Sequence, residues 1–293
     1  MSDEPGVPGH VMDALGLGPS DLTPLGGLSR HNANWRVTLD GRDVVLRRHR
    51  PDMTVEELEW ERNLVAWLSD SPWTVPTPIG DVIRDDQLWS VNTMVAGACC
   101  SPEPDMCQEQ RGRVLAQLHV TLRGRPVEQR PLWNAAHLGR PVRGETWDPT
   151  LSRLRRHDPQ LSDRFSRALK MIEAELAGLE AHDLPLIPLH GDFAEWNVHY
   201  EDGKLTGVID FDLAHVDSRP YELAIARAYR APVFLNAYSN ELERLGWPLT
   251  ERERRAIDPI HRLFRLNMVG AEILDGSGEP DWAFVQLQMG RAE

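Results

Sequence analysis

The sequence predicts an α+β protein of two lobes, an antiparallel β-sheet carrying one helix followed by a mainly helical lobe. Three observations carry this. Residues 22–50 alternate apolar and polar positions about a tight turn, a capped helix interrupts the β pattern near Thr54, and the texture turns helical after Gly97. Leu25-Gly-Gly-Leu-Ser-Arg-His-Asn32 breaks a first strand with a flexible, polar turn. Trp35-Arg-Val-Thr-Leu39 then alternates, Asp40-Gly41 turns the chain, and Val44–Arg47 returns. Thr54 followed by Glu57 is a capping-box pattern, and Leu58, Leu64, Val65 and Leu68 recur at helical spacing. Two further strands follow at Gly80–Arg84 and Leu88–Val95. Helices are expected at Gly112–Thr121 and from about Ser162 to Ala181, residues 183–224 read as loop and strand, and helices run to the end. Residues 123–160, rich in Arg, Pro, Gly and Trp, carry no regular pattern. The boundary falls at residues 95–101, giving a first lobe of residues 1–95 and a second of 96–293.

The length, 293 residues, suits one large or two modest domains at ~150 residues each. With 41% hydrophobic and 26% charged residues the chain can bury a core. Lys and Arg number 32 against 45 Asp and Glu, a formal charge of −13. That excludes a non-specific nucleic-acid binder, which needs concentrated positive charge, and suits a cationic ligand. No basic region precedes an apolar run at the start, and no stretch approaches the ~18 apolar residues of a spanning helix, so a soluble, cytoplasmic protein without membrane contact is expected. Cys99, Cys100 and Cys107 are too few for a disulfide framework and lack the second pair of a cysteine metal site. Phosphate-loop, dinucleotide-binding, serine-hydrolase and zinc-protease motifs are missing.

The informative stretch is His190-Gly-Asp-Phe-Ala-Glu-Trp-Asn197, with Gly207-Val-Ile-Asp-Phe-Asp212 after it. Val198–Tyr200 and Leu205–Ile209 flank Glu201-Asp-Gly-Lys204, which reads as a hairpin with Asn197 and Asp210 at its open end. Asp192 sits on the preceding loop, so three oxygen-bearing side chains converge. Such a set suits phosphoryl transfer: Asn197 and Asp210 as hard oxygen ligands for Mg²⁺, and Asp192, kept off the metal, as the group that orients a hydroxyl and takes its proton.

His-Gly-Asp-x-x-x-x-Asn followed by Ile-Asp-Phe-Asp resembles the aminoglycoside phosphotransferase family of small-molecule kinases. The resemblance implies a protein-kinase-like fold, ATP with GTP as the alternative nucleotide, Mg²⁺, and a hydroxyl-bearing small molecule as acceptor. Residues 25–47, with Gly27 and Ser29 in the turn, resemble the hairpin that covers the nucleotide. Arg47 falls where relatives usually carry the phosphate-binding lysine, and Lys170 and Lys204, the only lysines, lie elsewhere. Glu61 resembles the helix glutamate paired with that cation. Asn92–Gly97 resembles the hinge, with the backbone of Thr93 and Val95 against the adenine. Leu115-Ala-Gln-Leu-His119 and Tyr221-Glu-Leu-Ala224 resemble helices flanking the catalytic centre, where His190 supports the loop. The acceptor implied first is an antibiotic, an aminoglycoside or similar cationic drug. Kinases of homoserine, choline or sugars share the chemistry, and a nucleotide-binding module without catalysis is the rival of another class. Residues 123–160 and the C-terminal helices would form the acceptor wall, with Glu195, Trp196, Asp212, Asp217, Glu222 and Glu272 as candidate contacts. The chain is expected as a monomer or homodimer.

Overall fold

The computed structural model describes residues 6–25, 32–100, 104–126, 128–131, 146–226, 232–274 and 279–293. The chain divides into two compact units, residues 1–97 with 206–209, and residues 98–205 with 210–293. In the first unit, α1 (Gly9–Leu15) and β1 (Thr23–Leu25) precede the hairpin of β2 (Ala33–Leu39) and β3 (Arg42–Arg48). Next come α2 (Val55–Trp67), β4 (Pro78–Arg84) and β5 (Leu88–Thr93). The five strands pair antiparallel in the order β1-β2-β3-β5-β4.

Local chemistry explains these elements. Asp40 and Gly41 both take positive φ, 49° and 74°, the mirror-image turn whose twist matches a hairpin. Alternation sends Trp35, Val37, Val44, Leu46, Trp89 and Val91 to one face, where Trp35 and Trp89 stack at 5.6 Å. Val11 of α1 joins that core, and Pro8 at its start makes no side-chain cap, so no capping signature announced the helix. Thr54 and Glu57 form the expected capping box, each side chain accepting the other's backbone N–H at 3.1 Å. Residues 206–209 join this unit because Thr74 pairs with them: Thr74 N–H donates to Thr206 O, and Val208 N–H donates to Thr74 O. The approach needs glycine, since a Cβ on Gly207 would lie 2.4 Å from Thr74 O.

The second unit holds α3 (Asp105–Leu122), α4 (Asp148–His157), α5 (Pro159–Gly178), β6 (Leu186–Leu189), β7 (Val198–Glu201) and the start of β8 (Lys204–Val208). After them come β9 (His215–Ser218), α6 (Arg219–Ile225), α7 (Pro232–Arg244), α8 (Glu251–Leu274) and α9 (Trp282–Ala292). Its core gathers Leu154 from α4, Phe165 and Ile172 from α5, Ile260 and Leu266 from α8, and Met289 from α9. Two helices depart from the sequence reading. α4 lies inside the stretch without a pattern and is mostly polar, with only Thr150 and Leu154 buried. Every residue of α6 is buried, so no polar face marks a helical period, and the stretch reads as loop and strand. Among the described residues no helix is long and apolar enough to cross a membrane.

β6 and β9 pair antiparallel, Leu189 opposite His215, and so fix where the loop after β6 begins. His215 is 1% exposed, its Nδ1 donates to Leu213 O at 2.8 Å, and its ring meets the edge of Tyr221 at 5.1 Å. Burial pushes its imidazole down from 6.5 to about 4. The folded chain therefore keeps His215 neutral where the unfolded chain takes up a proton. Its contribution is complete above pH 6.5 and is lost as the pH falls toward 4, at most about 3 kcal/mol. Denaturant melts between pH 7 and 4.5 test this: His215→Asn flattens the acid loss, and an acid limb as steep as in the wild type refutes the assignment.

Candidate active site

The loop after β6 is held by a carboxylate from α6. Glu222, 0% exposed, accepts the backbone N–H of His190 at 2.7 Å and of Gly191 at 3.0 Å, with His119 Nε2 of α3 at 3.7 Å. Burial alone would push this carboxyl up. The His119 ring 3.7 Å away, the neighbouring His190 and the His190 N–H outweigh it and hold Glu222 below the usual carboxylate range. Gly191 stands at φ 85°, and a Cβ there would lie 1.9 Å from Leu213 O, so only glycine lets the two backbones meet. His190 is the supporting residue expected: its ring packs 4.5 Å from Phe211, and Asp192 N–H donates to its Nδ1 at 3.2 Å.

Asp192 follows, part-buried. Asn197, in the single turn Glu195–Asn197, donates through Nδ2 to Asp192 Oδ2 at 3.0 Å and to Asp192 O at 2.8 Å. The Trp196 side chain also hydrogen-bonds to Asp192. Burial raises the proton affinity of Asp192 and nearby Asp210 adds to it, against His190 and the Trp196 and Asn197 hydrogen bonds. From the other side, Arg111 of α3, 2% exposed, donates through Nη1 to Phe193 O at 3.1 Å and Ala226 O at 3.5 Å, its guanidinium 4.1 Å from the centre of the Phe234 ring. Asp210 takes φ 65° and ψ 67° ahead of the turn Phe211–Leu213. The Nδ2 of Asn197 is spent on Asp192, which leaves its amide oxygen as the ligating end. That oxygen and the Asp210 carboxylate are hard oxygen donors of the kind Mg²⁺ takes.

In the first unit, the run Arg47-Arg-His-Arg50 divides its work. Arg50 Nη2 donates to Glu57 at 2.7 Å and its Nε lies 3.0 Å from Asp52. His49 Nε2 bonds Ser90 Oγ at 2.8 Å, and the Arg48 guanidinium sits 5.9 Å from the centre of the Trp35 ring. Arg47 lies in register between Asn34 and Ser90, on the opposite sheet face from the core residue Leu46. Glu61, 9% exposed, stands one helical turn after Glu57. Of the hinge residues, Thr93 closes β5 and its N–H donates to Thr77 O at 2.8 Å, so its carbonyl is the backbone group it can offer an adenine edge. Val95 lies beyond the end of β5, outside the strand ladder. Gly27 and Ser29 lie outside the described residues.

The expected acceptor contacts separate. Glu195 and Trp196 are half-buried beside Asp192. Glu222 is corrected from acceptor contact to loop support, because both of its oxygens serve backbone N–H groups. Asp217 is 1% exposed and accepts Ser218 N–H, and Asp212 is 8% exposed. Glu272 Oε1 accepts the Asp281 N–H ahead of α9. Sequence reasoning missed Arg111 and Arg130. Neither sits in a motif, and a buried guanidinium facing a backbone carbonyl leaves no spacing signal.

Glu222→Ala would leave two buried N–H groups unsatisfied, at roughly 1–3 kcal/mol each. Amide hydrogen exchange at His190 and Gly191 should then rise well above that of the β6 core, with turnover falling alongside. Wild-type protection of those amides would refute Glu222 as the holder of the loop.

Several known proteins are similar to this chain along most of its length. The homoserine kinase of Phenylobacterium zucineum is 24% identical over 269 residues, 87% of this chain and 80% of that protein. The homoserine kinase of Gluconobacter oxydans is 26% identical over 274 residues, 87% and 82% of the two chains. Among solved structures, a microcompartment-associated aminopropanol kinase superposes with a TM-score of 0.69 at 19% identity, covering 97% of this chain and 93% of its own. The aminoglycoside phosphotransferase APH(4)-Ia, solved as a variant with ADP and hygromycin B, reaches 0.61 at 18% identity over 97% and 95%. The family model described as "Phosphotransferase enzyme family" matches residues 21–257, so the chain belongs to the APH family of phosphotransferase enzymes, with their kinase-like fold.

Proposed function

We propose that the enzyme transfers the γ-phosphate of ATP to a hydroxyl of a small amino alcohol or hydroxy amino acid. The observation that carries the chemistry is the Asp192 carboxylate, fixed by Asn197 on a loop held from both sides, with its proton affinity raised. In the step proposed, Asp192 takes the proton of the acceptor hydroxyl as that oxygen bonds the γ-phosphorus and the bond to the departing ADP oxygen breaks. Asn197 and Asp210 would hold Mg²⁺, which when bound neutralises charge on the phosphates. Arg47, with Glu61 to orient it, grips the phosphates, bidentately where a lysine would offer one point charge. Val95 contributes backbone to the adenine edge.

Two observations favour a small acceptor over a polycationic drug. The curated relatives named above are homoserine kinases, matched over most of both chains. Of the acids expected to grip a polycation, Glu222, Asp217 and Asp212 are turned into the core. Trp196 and Glu195, beside Asp192, are left as the acceptor contacts.

Coupled ADP-release assays over homoserine, aminopropanol, choline, sugars and aminoglycosides test the acceptor. Turnover with an amino alcohol or hydroxy amino acid supports the reading, and turnover confined to aminoglycosides overturns it. Asp192→Ala should cost about 10²–10⁴-fold in kcat with nucleotide binding retained by calorimetry. Near-wild-type turnover in that variant removes Asp192 from the chemistry.

A further inference from the structure

Asp210 stands in the left-handed region without being glycine, a state that persists only where its surroundings over-determine it. The turn behind it shows what does so. Ala214 N–H donates to Phe211 O at 2.9 Å and closes the turn. The next three carbonyls all have buried donors: Asp212 O accepts from Arg130 Nη1 at 2.7 Å, Leu213 O from His215 Nδ1 at 2.8 Å, and Ala214 O again from Arg130 Nη1 at 2.8 Å. Gly191 presses against Leu213 O between the two Arg130 contacts. One guanidinium nitrogen, 0% exposed, thus bridges carbonyls two residues apart, from a position about eighty residues earlier in the chain. Burying a guanidinium is costly, and apolar packing would fill the space more cheaply. The bridge instead fixes the backbone of the turn.

We propose that Arg130 is a positioning residue for the metal site: it locks the turn after Asp210 so that the carboxylate is presented to the cation. This rests on Asp210 being a metal ligand. Supporting ligands of this kind typically set metal affinity by about 10–100-fold. Mn²⁺ is the probe, with free ion read by paramagnetic resonance, for the wild type, Arg130→Met, Arg130→Gln, Arg130→Lys and Asp210→Asn. The expected result is Mn²⁺ binding weakened about 10–100-fold in Arg130→Met and Arg130→Gln. In those variants kcat falls while the acceptor KM changes little, and Arg130→Lys recovers part of both. Wild-type Mn²⁺ affinity in either folded neutral variant, with Asp210→Asn weakened, overturns the role of Arg130 and leaves Asp210 a ligand. Wild-type affinity in Asp210→Asn overturns the metal reading and the proposal with it. If neither neutral variant folds, Arg130→Lys decides: Mn²⁺ affinity and kcat both equal to wild type overturn the proposal.

Discussion

The loop after β6, and all that it positions, depends on one buried carboxylate. An ionised acid taken out of water is costly unless hydrogen bonds replace its hydration. Glu222 meets that demand with the N–H groups of His190 and Gly191, charge-assisted contacts of the stronger kind. In return, two orphaned donors of an irregular loop are satisfied where no strand partner reaches them. Gly191 can then take its positive φ, His190 settles on Phe211, and Asp192 emerges facing Asn197. Arg111 completes the clamp from the other charge, gripping the carbonyl of Phe193 and the end of the same helix that carries Glu222.

The same economy runs through the chain: buried charge is spent on backbone. Arg130 serves two carbonyls of the turn behind Asp210. Arg219 divides itself between Glu253 and the carbonyl of Trp247. In the first unit, Glu57 caps its own helix and receives Arg50. Loops without regular pairing acquire definite shapes this way, which a site assembled from loops requires.

Much of this was legible in the sequence, and the part that was not has a physical reason. The β2–β3 hairpin, the capped α2 and the catalytic motif rest on contacts between near neighbours, such as Asp40 with Gly41, Thr54 with Glu57, and Asp192 with Asn197. Those leave a signature in spacing. Glu222 sat in a quoted motif yet was assigned to the acceptor, because its partners lie thirty-one and thirty-two residues away as bare N–H groups with no side-chain identity. Arg111 and Arg130 were missed for the same reason, since every backbone offers carbonyls. α6 escaped because complete burial erases amphipathic periodicity.

Residues 206–209 belong to the first unit although more than a hundred positions separate them from the rest of it. No single cut therefore releases that unit whole. A fragment ending at Gly97 exposes the edge at Thr74 where Thr206 and Val208 should pair, and the complementary fragment carries those residues without their partner. The chain passes straight from this borrowed stretch into Asp210. The fragment that loses its pairing partner is thus the one that carries Asp210. Dissection of this protein calls for circular permutation or fragment complementation rather than truncation.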